Sequence, residues 1–129
     1  MRELTACLLV GFGGFWGAIT RYLVARLSAQ VLGVTFPYGT FIINLSGSFL
    51  LGVAATLVSE RFFPATDQAR LVFAIGFLGA YTTFSTFEFE THALFEDGSW
   101  LLGLTNIFGS LFLGLIAIRL GILVAKSWL

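Results

Sequence analysis

The sequence predicts an all-α membrane protein in which one subunit crosses the bilayer four times. Of its 129 residues, 57% are apolar and only 11% charged. Its apolar runs recur at lengths of about 20 residues, which is what about 30 Å of hydrocarbon requires. The connections between them are short and hold Pro37, Pro64 and the Glu96-Asp97-Gly98-Ser99 turn. A soluble globule of this size needs roughly twice that charged fraction to coat its surface. Long apolar runs without strict alternation select helices over barrel strands.

The first span covers residues 4–25, with Arg2 before it and no small-residue cleavage site after its apolar core, so it is expected to stay in the mature chain. The second covers 38–58, the third 69–91 and the fourth 100–124, joined by loops at 28–37, 60–67 and 96–99. Residues 1–129 thus form a single four-helix transmembrane domain with no room for a soluble one. Seven Lys and Arg balance seven Asp and Glu, so no net field draws nucleic acid. The single cysteine, Cys7, excludes an intrachain disulfide, and no His and Cys cluster has zinc-site spacing. No Ser-His-Asp set or phosphate loop is present either; Gly11-Phe12-Gly13-Gly14 sits inside a spanning helix, so no catalytic residue is expected.

Small and polar residues fall at four-residue spacing, one helix face each: Gly13, Gly17 and Arg21; Thr40, Asn44, Ser48 and Gly52; Asn106, Ser110 and Gly114. Such faces let helices approach closely. Four helices can hardly enclose a polar path and still cover it with lipid-facing residues, so a homodimer is the default. Basic residues favour cytoplasmic termini: Arg2, Arg61, Arg70, Arg119 and Lys126 lie on the terminal side, against Arg21 and Arg26 on the other. Insertion in both orientations stays open.

The third span carries the chemistry. Residues 76–87 are dense in Gly, Thr, Ser and Phe. Hydroxyls offer the backbone competing bonds and Gly costs about 1 kcal/mol against Ala, so a helix break is expected here. The alternative is an unbroken helix whose hydroxyls bond back to their own carbonyls. Carbonyls freed at membrane depth suit a hard monovalent cation. Phe84 and Phe87 are neighbours on one face, and their positive ring edges can line an anion's passage without trapping it.

The run Gly-Phe-Leu-Gly-x-x-Thr-Thr-Phe-Ser-Thr-Phe at 76–87 resembles that of the Fluc, or CrcB, fluoride channels. So do Gly39-Thr40-x-x-x-Asn44, Arg21 in Gly17-Ala18-x-x-Arg21, and Asn106 with Ser110. The resemblance covers the whole chain. It implies two identical subunits in opposite orientations in the cytoplasmic (inner) membrane, contacting lipid, with two fluoride pores along their interface. It further implies Phe84 and Phe87 as the pore aromatics, Asn44 as an amide donor facing the ion, and Ser85, Thr86, Asn106 and Ser110 along the path. Gly79 and Thr82 correspond to the carbonyls holding a central, structural sodium ion that is not transported. Fluoride that enters as its neutral acid would ionise inside and leave passively through the channel, shedding water onto a succession of donors.

Arg21 is expected to draw anions at a vestibule, or to snorkel to the headgroups. Glu88 shares a face with Phe84 and is read as structural or regulatory, His92 as a satisfied interface residue, and Glu96 and Asp97 as solvated loop. The rivals are a proton-coupled exporter, which needs a membrane-embedded carboxylate absent from the core of the first, second and fourth spans, and a noncatalytic membrane subunit.

Overall fold

The computed structural model describes residues 2–60 and 66–129. Pro64 and Arg61, used above for the second loop and the charge tally, lie outside the described residues. Four helices are long and apolar enough to cross a membrane, Arg2–Leu32, Tyr38–Ser59, Asp67–Glu96 and Trp100–Lys126, and no strand occurs among the described residues.

Helix α1 (Arg2–Leu32) runs past residue 25, because helical hydrogen bonding satisfies the backbone beyond the apolar stretch as well as within it. It stops where Gly33 takes φ 84° and its N–H reaches back to the Ala29 carbonyl at 3.1 Å, the left-handed ending that glycine permits. Helix α2 (Tyr38–Ser59) starts after Pro37, a residue with no N–H to leave unpaired. The third crossing comprises α3 (Thr66–Ala69), a π-helical stretch (Arg70–Phe77), α4 (Leu78–Tyr81) and α5 (Phe84–Glu96). Gly98, at φ 75°, makes the turn into α6 (Trp100–Lys126).

Packing pairs α2 with α6 and α1 with the third crossing, while α2 also touches α1 and the third crossing. Glycine sets both close approaches. A Cβ at Gly13 or Gly17 would run into the carbonyls of Val72 or Phe77, and one at Gly52 or Gly121 into those of Ile118 or Phe49. Backbones at such distances exchange Cα–H···O contacts that any side chain would prevent. Gly13 and Gly17 are therefore consumed inside the subunit, as is Gly52, and do not remain as surface awaiting a second copy.

The core is small: Ile43 and Leu78 are 1% and 2% exposed, with Ala54 and Tyr81 beside them. Phe73, Phe77 and Tyr81 form a stacked ladder with ring centroids 5.4 and 5.9 Å apart. The ladder ends where the Tyr81 hydroxyl meets Ser46 Oγ on α2 at 2.8 Å. This contact holds the end of α4 against α2, at the start of the functional region.

Candidate functional site

Between α4 and α5 the chain leaves the helix for two residues. Thr82 has φ −78° and ψ 157°, and Thr83 φ −151° and ψ 121°, both extended. The Thr82 N–H still donates to the Leu78 carbonyl at 3.0 Å. In a continuous helix the Thr83 N–H would close onto Gly79; here it donates to Asn44 Oδ1 at 2.9 Å. Asn44 Nδ2 donates in return to the Thr83 carbonyl at 3.0 Å. One side chain of α2 therefore pairs with both backbone groups of Thr83. The orientation of the amide is unambiguous, since an N–H can only donate and a carbonyl only accept. One Asn44 N–H is left over.

Thr83 then caps α5: its hydroxyl accepts from the Thr86 N–H at 3.4 Å and donates to Thr86 Oγ1 at 3.0 Å. The break thus sets the C-terminal end of one helical run against the N-terminal end of another. The first end carries partial negative charge and the second partial positive charge. Asn44, Gly47, Gly79, Thr82, Thr83 and Phe84 line an open cavity of about 320 Å³ on this face. Nothing stands within 4 Å of where a Cβ at Gly79 would project. Phe84 is 73% exposed and Phe87 8%, with ring centroids 6.0 Å apart. Ser85 is exposed in the first turn of α5.

A second polar group crosses from α5 to α6. Asn106, 1% exposed, donates through Nδ2 to Thr91 Oγ1 at 2.8 Å, and Thr91 donates to the Phe87 carbonyl at 2.7 Å. Ser110 Oγ donates to Asn106 Oδ1 at 3.4 Å. Of the residues named from sequence, the fold thus gathers Asn44, Gly79, Thr82, Thr86 and Phe84 around the break. Phe87 connects them to Asn106 and Ser110. Arg21 is half-exposed on α1 and lines neither this cavity nor the one described next.

That second cavity, about 440 Å³, is lined by Thr35, Thr40, Glu90, Asp97 and Ser99 among others. Thr40 interacts with the Glu90 carboxyl, whose Oε2 is buried without a partner. Glu88, singled out from sequence, is instead exposed, and His92 and Glu96 pair at 4.0 Å on an outer face, 70% and 72% exposed. Sequence reasoning overlooked Glu90, Thr91 and the capping role of Thr83. A signal for Glu90 existed, because a carboxylate inside a spanning segment is a functional candidate by default. Thr91 had none, since a helical Thr bonding back four residues is commonplace; Thr20, Thr56 and Thr105 do the same.

The family model described as CrcB-like protein, Camphor Resistance (CrcB), matches residues 8–122. A protein of Solibacter usitatus is 44% identical over 119 residues, covering 92% of this chain and 97% of its own length. A protein of Chlorobaculum tepidum is 45% identical over 121 residues, covering 94% of each chain. One from Legionella pneumophila is 43% identical over 119 residues, covering 92% of this chain and 88% of its own. All three are named fluoride-specific ion channel FluC. A match through nearly all of the four spans makes this chain a member of the CrcB family, a family of membrane ion channels and not of enzymes.

Proposed function

We propose that the chain is a fluoride-selective channel that exports fluoride passively across the cytoplasmic membrane. It works as an antiparallel homodimer of two copies in opposite orientations, with two pores at the interface and a structural sodium ion at its centre. The observation that carries this reading is the break at Thr82 and Thr83, which offers opposite ions opposite helix ends. The start of α5, with the partial positive charge of a helix N-terminus, the spare Asn44 N–H and the Phe84 ring edge, suits a small dehydrated anion. Stripping water from such an anion is costly, so donors must replace the hydration shell in turn.

Sodium fits the other end. The Gly79 carbonyl has lost its helical N–H to Asn44, and the Thr82 carbonyl belongs to an extended residue, so both oxygens are available to a hard cation. Gly79 is exposed on one chain, as a site shared between two copies requires. Sodium there would neutralise the partial negative charge at the end of α4 and bind the copies together. Transfer into sodium-free buffer is expected to shift the purified protein from dimer toward monomer on size exclusion, with sodium restoring the dimer. An unchanged profile would sink the assignment of Gly79 and Thr82.

Liposome efflux tests the function directly. Wild type is expected to release fluoride without any proton gradient, and Phe84→Ile to slow release about tenfold, as expected for a lost interaction of about 1.4 kcal/mol on the path. The buried Glu90 oxygen favours a second reading, a proton-coupled exporter, since it places a carboxylate within the third span. That reading requires transport to follow an imposed proton gradient.

A further inference from the structure

Helix α4 is a single turn, Leu78–Tyr81, set between the π-helical stretch and the two extended residues Thr82 and Thr83. One turn has too few internal bonds to hold its own shape, so its place depends on what its side chains grip. Gly79 grips nothing: it is exposed, and nothing stands within 4 Å of where its Cβ would project. Leu78, 2% exposed, fixes the start of the turn. Tyr81, buried, fixes its end, with its ring stacked on Phe77 and its hydroxyl 2.8 Å from Ser46 Oγ on α2. The direction of that bond follows from Ser46, whose one proton goes to the Ile42 carbonyl at 2.7 Å. Toward Tyr81 the serine can only accept, so the phenol donates. Ser46 stands on α2 between Asn44, which holds Thr83, and Gly47, where a Cβ would run into the Thr82 methyl group. Thr82 Oγ1 donates to the Leu78 carbonyl at 2.9 Å, so that side chain is settled as well.

We propose that Tyr81 is a positioning residue of the cation site: its phenol, donating to Ser46, holds the end of α4 so that the Gly79 and Thr82 carbonyls keep their places whether or not sodium is bound. This rests on the sodium reading above. The two carbonyls flank Tyr81 in the chain, Gly79 before it and Thr82 directly after. Asn44 acts further on, at Thr83, where it keeps the break open, and it does not restrain the turn behind. Glycine has the most backbone freedom to lose, so an untethered Gly79 would have to be ordered by the cation itself, at the expense of affinity. Apolar packing of the ring against Ile43 and Leu78 is non-directional and lets it slide along α2. The hydroxyl fixes it at one residue.

Sodium titration of the purified protein, read as the dimer fraction on size exclusion, tests this. Tyr81→Phe keeps the ring and is expected to raise the sodium concentration giving half dimer about fivefold, as one lost hydrogen bond implies, with full dimer at saturating sodium. Ser46→Ala removes the same bond and leaves the buried phenolic proton without an acceptor, so it is expected to shift the midpoint at least as far. The double variant Tyr81→Phe/Ser46→Ala should need no more sodium than Ser46→Ala alone, because both changes remove one bond. Thr56→Val removes a buried bond to the Gly52 carbonyl elsewhere on α2; it is the control and should titrate like wild type. A Tyr81→Phe midpoint equal to that of wild type overturns the proposal, as do shifts that multiply in the double variant or an equal shift in Thr56→Val. A Tyr81→Phe protein that never dimerises overturns it too, since the hydroxyl would then serve the fold and not the carbonyls. A wild-type dimer indifferent to sodium refutes the sodium reading and this proposal together; with a sodium-dependent wild type, the results above refute the proposal alone.

Discussion

Asn44→Ala is expected to reduce fluoride efflux about 100-fold in proteoliposomes. The Asn44 side chain pairs with both backbone groups of Thr83, at 2.9 and 3.0 Å, and holds a further N–H in reserve. Alanine leaves the part-buried Thr83 N–H and carbonyl without their side-chain partner, each at up to about 1–3 kcal/mol. The backbone recovers by letting the Thr83 N–H return to the Gly79 carbonyl, which closes the break. That removes together the free Gly79 oxygen and the α5 start that the proposed path uses. A barrier increase of about 2.7 kcal/mol corresponds to the stated factor. Asn44→Asp makes a sharper comparison: it keeps an oxygen for Thr83 N–H but brings negative charge and no N–H, so its efflux is expected to fall at least as far. If Asn44→Ala conducts within a few-fold of wild type, the break does not depend on Asn44.

The other large effect is on assembly of the fold. Gly13→Val is expected to yield little or no folded protein, because its Cβ would meet the Val72 carbonyl and neighbouring backbone of the π-helical stretch. Backbone cannot step aside as a flexible side chain can. Overpacking of ordinary cores costs about 1–3 kcal/mol, and here α1 must also separate from the third crossing. Gly11→Val, two residues away, has nothing within 4 Å of its Cβ and serves as the control. Size-exclusion yield and thermal unfolding in detergent should leave Gly11→Val near wild type and Gly13→Val far below. Equal behaviour would mean that α1 does not rely on close approach at Gly13.

The number and order of the crossings could be read from the sequence because burial in lipid is a local demand. Each stretch of about 20 apolar residues must satisfy its own backbone, and a helix does so without help from elsewhere in the chain. Residues 76–87 stand out in the sequence for a related reason: their hydroxyls offer the helix backbone competing hydrogen bonds and their glycines weaken it locally. Relations between distant residues were not readable. That Asn44 is the partner of Thr83, 39 positions along, depends on how α2 lies against the third crossing. Likewise, Glu90 faces a polar cavity while Glu88 faces outward because of the rotation of α5, which begins afresh at Phe84 after two extended residues. A break resets helical phase, so spacing counted along the chain no longer says which side chains share a face. Only packing in three dimensions decides that, and it is packing that turned Gly13 and Gly17 inward and left Phe84 exposed.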